Sequence, residues 1–467
     1  MKYFFFVITF LLFQQKATSQ EEIITITSNT QIYQSFNVVD SNSEFFAVFL
    51  EESNLVKGFL YDKNYQLIAK IYSEDLPDKY KEFIGYQIKG KTITLFMNTK
   101  NNRSYGVLLF DFEKEISEIK ELEFKLKRED YIEAVSTNNS FYLITRPSNT
   151  NQFNIYTFSE DFTAHKNEII FKKEDFLDRR DRPVAIYDII KKAVKIDNKS
   201  PISIEATSQY VKLYNEGNRV TITSDIYNEI TYVININLDD FTYTTERFLQ
   251  PEYKTSMLDV KSNSYIYENH LFQLISSSKK LNIQITDLAS KEIIKEYTAD
   301  KKKPIDFKNS QIILEGGDFK KYRELDKSSQ FLRKISKYKV GITAYKHKGK
   351  YQISLGGITE GTNGMGYVFA GAIVGGMVGG MIVAATFNSM TYSYYGYTNT
   401  KSVRITGLFD DDFNHLQGEI DDNPFEIMKT FFKNNKEFTS KTVFNFNGNY
   451  IYGFYNKNIN LYEVFKI

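Results

Sequence analysis

The chain has 467 residues, with 59 Lys and Arg against 58 Asp and Glu. A net charge of +1 provides no general field for holding nucleic acid. There is no cysteine, which excludes disulfides, lipoprotein acylation and thiolate chemistry. Aromatic residues make up 16%, with 34 Tyr and 39 Phe against 7 Pro, a mixture that suits half-buried strands and not a disordered chain.

The first predicted element is an export signal. Lys2 supplies a short positive region, Phe4–Phe13 an apolar core, and Ala17-Thr18-Ser19 small residues before a cleavage site after Ser19. The apolar core is too short to span a bilayer. Residues 1–19 are therefore expected to be removed, leaving a mature chain that starts at Gln20. An exported chain without disulfides points to the periplasm, outer membrane or cell surface of a Gram-negative bacterium.

From there a strand, an acidic or polar turn and a second strand recur. The unit appears at Gly58–Tyr72, Gly106–Phe124, Phe153–Phe171, Thr231–Phe248, Leu281–Tyr297 and Ser402–Ile420, and ends incomplete at Ile467. The turn acids Asp62, Asp111, Glu160, Asp239 and Asp287 lie 49, 49, 79 and 48 residues apart. The long interval is explained by an insertion over 172–200, which contains a short helix-like run, IYDIIKKAVKI. Two further strand-like runs precede each marker, for example Phe45–Leu50 and Lys91–Asn98. Four short strands in about 50 residues is the period of a propeller blade.

The ends of the chain fit the same reading. Glu21–Ser28 is an alternating strand without a local partner, and the last unit, turned at Asn447-Gly448, lacks its outermost strand. Pairing the two closes a ring and removes the open edge. The chain resembles the β-propeller superfamily in architecture. Its period is similar to that of kelch-type blades, although the paired glycines and Tyr/Trp pattern of kelch and the WD dipeptide are missing. The expectation is an all-β fold: one β-propeller over residues 20–467, of about seven four-stranded blades with six or eight also open, closed by the N-terminal strand and carrying helical insertions. The resemblance implies a binding surface at the ends of a disc and no particular chemistry.

Two insertions interrupt the later units. The spacing of Tyr322, Leu325, Ser329, Leu332 and Ile335 predicts a basic helix over 316–338. Its residues Lys320, Lys321, Arg323, Arg333, Lys334 and Lys337 are candidates for contact with an anionic surface such as lipid head groups, against the plainer reading of a solvated face. A glycine-rich apolar insertion then fills 357–400. Gly371, Gly375 and Gly379 recur every four residues, as do Gly376 and Gly380, so on a helix they form adjoining small-residue stripes. Phe369, Ile373, Met377 and Met381 occupy other faces. The segment resembles the glycine-zipper segments of bacterial envelope proteins, which implies membrane or oligomer contact through 366–387. Both ends must return to one disc, so a protruding insert is favoured over a single transmembrane helix, and burial against the propeller stays open. Asn388–Thr400 is long enough to run back if extended.

No nucleophile elbow, phosphate loop or dinucleotide fingerprint stands in a suitable context. His165, His270, His347 and His415 lack metal-ligand spacing, and the acids around Asp410 lack the pattern of a calcium loop. Asp175, Asp178 and Asp181 alternate with arginines, so mutual ion pairs are expected. No cofactor, metal or catalytic residue is assigned. The functional expectation is a non-enzymatic, exported binding scaffold of the cell envelope, attached to membrane or self-associating through the glycine-rich insert. It would bind an unknown protein or glycan on its disc face. The alternatives are a secreted hydrolase or lyase acting on polysaccharide, and a pore element built from several protomers.

Overall fold

The computed structural model describes residues 20–251, 260–316, 322–358, 387–398, 402–433, 435 and 437–467. Among these the chain forms seven sheets, antiparallel but for one added parallel strand, and most with four strands in simple chain order. The first runs Gln34–Val39, Phe45–Glu52, Leu55–Asp62, Leu67–Tyr72, and the next two repeat this pattern from Tyr80 and Glu129. In each the second and third strands are mostly buried, Phe45–Glu52 on both faces, whereas the outermost, such as Ile116–Lys125, is largely exposed. That gradient is what strands stacked from a crowded interior to a solvated rim require. Apolar clusters lie between consecutive sheets, and one joins the first sheet to the last through Phe46, Val48, Phe444 and Phe446. The arrangement resembles a propeller-like all-β architecture.

The acids that mark the repeat have a local task. Asp62 Oδ1 accepts the backbone N–H groups of Asn64 and Gln66 at 2.8 Å each, and Asp111 and Asp287 do the same in their own turns. A short carboxylate can satisfy two turn amides that the ladder leaves unpaired, which explains why an acid recurs there. In the third unit the task falls to Asp161 rather than Glu160, and in the fourth to Asn237 and Asp240.

The N-terminal strand Glu21–Thr27 pairs antiparallel with Leu461–Lys466, from Glu21 opposite Lys466 to Thr27 opposite Leu461, and supplies the fourth strand of the last sheet. The turn at Asn447-Gly448 has positive φ at both residues, 51° and 78°, as a tight two-residue hairpin demands.

Several expectations are corrected. The insertion at 172–200 is helical only at a single 3-10 turn, Lys173–Asp175, and at α1 (Ile186–Ile189), whose isoleucines enter the core. Val194–Ile196 is a strand lying parallel along the inner edge of the fourth sheet. Further on, a one-turn helix α2 (Ile204–Thr207) is buried. Among its described residues the basic segment is helical only at α3 (Ser328–Ile335), where Phe331, Leu332 and Ile335 are buried. Arg323–Leu325 before it is an edge strand on Ile312–Glu315, which pairs in turn with Ser402–Phe409. The sixth sheet thus borrows its outer strands from upstream, and the expected partner after Asp410 is reduced to His415–Leu416. The described part of 388–400 is not extended: α4 (Ser389–Thr398) buries Met390, Tyr392 and Tyr394. A further helix, α5 (Pro424–Lys433), packs beside it through Phe425 and Met428. No helix among the described residues is long and apolar enough to cross a membrane.

Candidate functional site

A cavity of about 940 Å³ opens where the first sheet meets the last. The first sheet contributes Gln34, Glu51 and the turn residues Ser53 and Asn54. The last contributes Phe438, Thr439, Ser440 and Lys441, and Tyr395 of α4 reaches in from the side. The junction is pinned by a bulge. Between Thr439 and Thr442 the strand loses register, and Ser440 adopts a left-handed φ of 47°. Ser440 Oγ donates to Ile32 O at 2.8 Å, and Ser35 Oγ donates to Ser440 O at 2.5 Å. Bulges of this kind re-aim neighbouring side chains, and strained residues cluster where a site must be held.

Glu51 is the distinctive group. It sits directly across from Gln34 in the ladder, so the two side chains share one face. No side-chain hydrogen bond or ion pair to its carboxylate is present among the described residues, and burial alone raises it from an ordinary 4.5 to about 7. Its neighbour Glu52 faces the other way and is satisfied by Ser28 and Lys57, at 2.8 and 2.7 Å. Two adjacent acids thus have opposite environments. Burial lowers the Lys441 ammonium below its usual value and pushes the Tyr395 phenol up to about 12. Lys441 Nζ lies 4.0 Å from the centre of the Phe432 ring. Gln34 Oε1 and Thr439 Oγ1 are buried without a partner among the described residues.

A partly buried carboxyl poised near neutrality, a cation, and orphaned amide and hydroxyl oxygens in one cavity make a set suited to holding a polar molecule and moving a proton on it. Among the described residues a single carboxyl, that of Glu51, lines this cavity. The two-carboxylate geometry of glycoside hydrolysis is not what it offers.

None of these residues was marked as a site from the sequence. The available signal was the pair Glu51-Glu52 ending a strand buried on both faces, where neighbours point to opposite sides and neither can reach bulk water freely. Among the residues that were marked, Gly371, Gly375, Gly376, Gly379, Gly380, Phe369, Ile373, Met377 and Met381 lie outside the described residues, as do Lys320 and Lys321. The remaining basic residues do come together. Lys334 is held below its usual value by burial and then by Arg323, Arg333 and Lys337. Asp178 pairs with Arg182 at 2.6 Å and Asp181 with Arg247 at 2.7 Å, while Asp175 accepts from Tyr243. Among the described residues no group of three His, Asp or Glu stands close enough to hold a metal ion.

No family model and no curated protein sequence matches the chain. Among solved structures, an apocarotenoid oxygenase mutant from Synechocystis is 10% identical with a TM-score of 0.29, covering 57% of this chain and 64% of that one. The cobalt-substituted form of that enzyme, and a chimera between it and RPE65, are each 11% identical with a TM-score of 0.30, covering 58% of this chain and 62% of theirs. The chain thus spans less than two thirds of each. The expectation of a non-enzymatic envelope scaffold is corrected on this finding, since the similar structures are enzymes or built from one. Likeness at this level carries no argument about activity or substrate, which has to come from the chain's own residues.

Proposed function

We propose that the chain is an enzyme performing one-base proton transfer on a small carbonyl compound held in the cavity between the first and last sheets. The observation that carries this is Glu51, a carboxyl without a partner among the described residues, facing a large cavity and raised by burial to about 7. A base of that strength takes a proton beside a carbonyl more readily than an ordinary carboxylate and is still half ionised at neutral pH. Lys441 and Lys457, which line the same cavity, suit the oxygen on which negative charge develops. Gln34 Oε1 and Thr439 Oγ1 remain to accept hydroxyl donors from the substrate.

The finer architecture belongs to the same proposal. The seven sheets are blades of a propeller closed by Glu21–Thr27, and the site lies at the closure. The chain is exported, with residues 1–19 removed, which intact mass of the secreted protein checks directly. The functional test is to incubate the protein with a panel of hydroxy ketones in deuterium oxide and follow exchange beside the carbonyl by NMR. Exchange that rises through pH 7 and disappears in Glu51→Gln supports the reading. Exchange equal in both proteins, or none with any member, overturns it.

A further inference from the structure

A second cavity, about 260 Å³, lies where the inner strands of five sheets converge. It shares no lining residue with the cavity at Glu51. Asn37 comes from the first sheet, Tyr86 from the second, Ser136 from the third, Lys195 and Asn215 from the fourth, and Asn445 from the last. Phe387 closes one side, packed on Phe36 and Tyr86 with ring centres 4.9 and 5.5 Å away. Most of the polar lining is thus amide or hydroxyl.

The ionic groups are engaged within the protein, Lys195 by a carboxylate and Asp197 by neutral donors. Lys195 Nζ lies 3.8 Å from Glu133 Oε1, which also accepts from Tyr131 at 3.0 Å. Asp197 accepts from Ser200 Oγ at 2.7 Å and from the Lys199 amide at 3.0 Å. An added ionic ligand would upset that balance in a poorly solvated space. The amides are not all satisfied. Asn215 Nδ2 donates to Ser136 O at 3.3 Å, but its Oδ1 is buried with no partner among the described residues. Asn445 stands exposed at the rim. A half-open space whose ionic groups are already engaged, with an orphaned acceptor and amides that each keep part of their hydrogen-bonding capacity, is complementary to a molecule of closely spaced hydroxyls, each of which donates and accepts.

We propose that this axial cavity binds a small neutral polyol of three or four carbons, with one hydroxyl donating to Asn215 Oδ1. The probe is erythritol, followed by calorimetry and by ligand-observed NMR on the whole chain, with glycolate as the anionic control. Expected are saturable millimolar binding of erythritol, at least about tenfold weaker binding in Asn215→Leu, and weaker binding of glycolate. Asn445→Leu, at the exposed rim and outside the core, is expected to weaken binding severalfold with an unchanged fold, which keeps the test valid if Asn215→Leu misfolds. Polyols also stabilise proteins by exclusion from their surface. A non-saturable stabilisation identical in all three proteins, or glycolate binding more tightly than erythritol, overturns the proposal.

Discussion

Replacing Glu51 by Gln tests the physical basis of the site without any substrate. In the unfolded chain the carboxyl titrates at its ordinary 4.5, and in the folded protein at about 7. A group raised on folding contributes its full share of stability below the lower value and loses it as pH rises to the upper one. Each tenfold change in the proton equilibrium is worth about 1.4 kcal/mol, so the ionised carboxylate costs the native state about 3 kcal/mol above pH 7. Solvent reaching this partly exposed side chain makes that figure a ceiling. Gln has nearly the same shape and no charge at any pH. Glu51→Gln is therefore expected to stabilise the protein by as much as about 3 kcal/mol at pH 8.5, and by close to nothing at pH 4.5. Urea unfolding of both proteins across this range measures the difference. A gap that does not change with pH, or a variant less stable at high pH, would refute the claim that Glu51 is held in a desolvated setting.

Three other expectations follow from the packing. Lys212 and Asp225 form a fully buried pair at 2.8 Å, and Lys212 also donates to Asn263 and Gln209. Lys212→Met strands the carboxylate and should cost about 3–5 kcal/mol in chemical denaturation, part of which Asp225→Asn should restore when combined with it. A methyl group on Gly356 would lie 2.0 Å from the Val403 carbonyl oxygen, so Gly356→Ala should lower stability by about 1–3 kcal/mol or more, seen as a reduced Tm. Ile24 and Ile26 are buried in the last sheet. Changing both to Asp should detach the N-terminal strand, expose the edge of Leu461–Lys466 and produce aggregation in light scattering, whereas the same change at the exposed Glu21 and Glu22 positions should not.

The sequence by itself determined the repeat. Strand alternation and turn acids are local properties, readable because the side-chain period is two and a tight turn needs a short acceptor at a fixed place. It also determined that Glu21–Thr27 lacks a local partner, and the outer edge of the last unit was the complementary vacancy. The helix assigned to 316–338 went the other way: its spacing was helical, but pairing with Ile312–Glu315 took Arg323–Leu325 for a sheet. Asn388–Thr400 read as a polar stretch long enough to run back if extended, yet Ser389–Thr398 is a helix whose Tyr394 and Tyr397 found an apolar slot beside α5. The site was decided only by tertiary structure. Glu51 and Lys441 are 390 residues apart, and neither carries a motif. What distinguishes Glu51 from Glu52 is the company on each face of one strand. Glu52, the more buried of the two, meets Lys57 and Ser28, whereas the partly buried Glu51 meets no hydrogen-bonding or ionic side chain among the described residues, so desolvation, a property of the packed whole, sets its proton affinity.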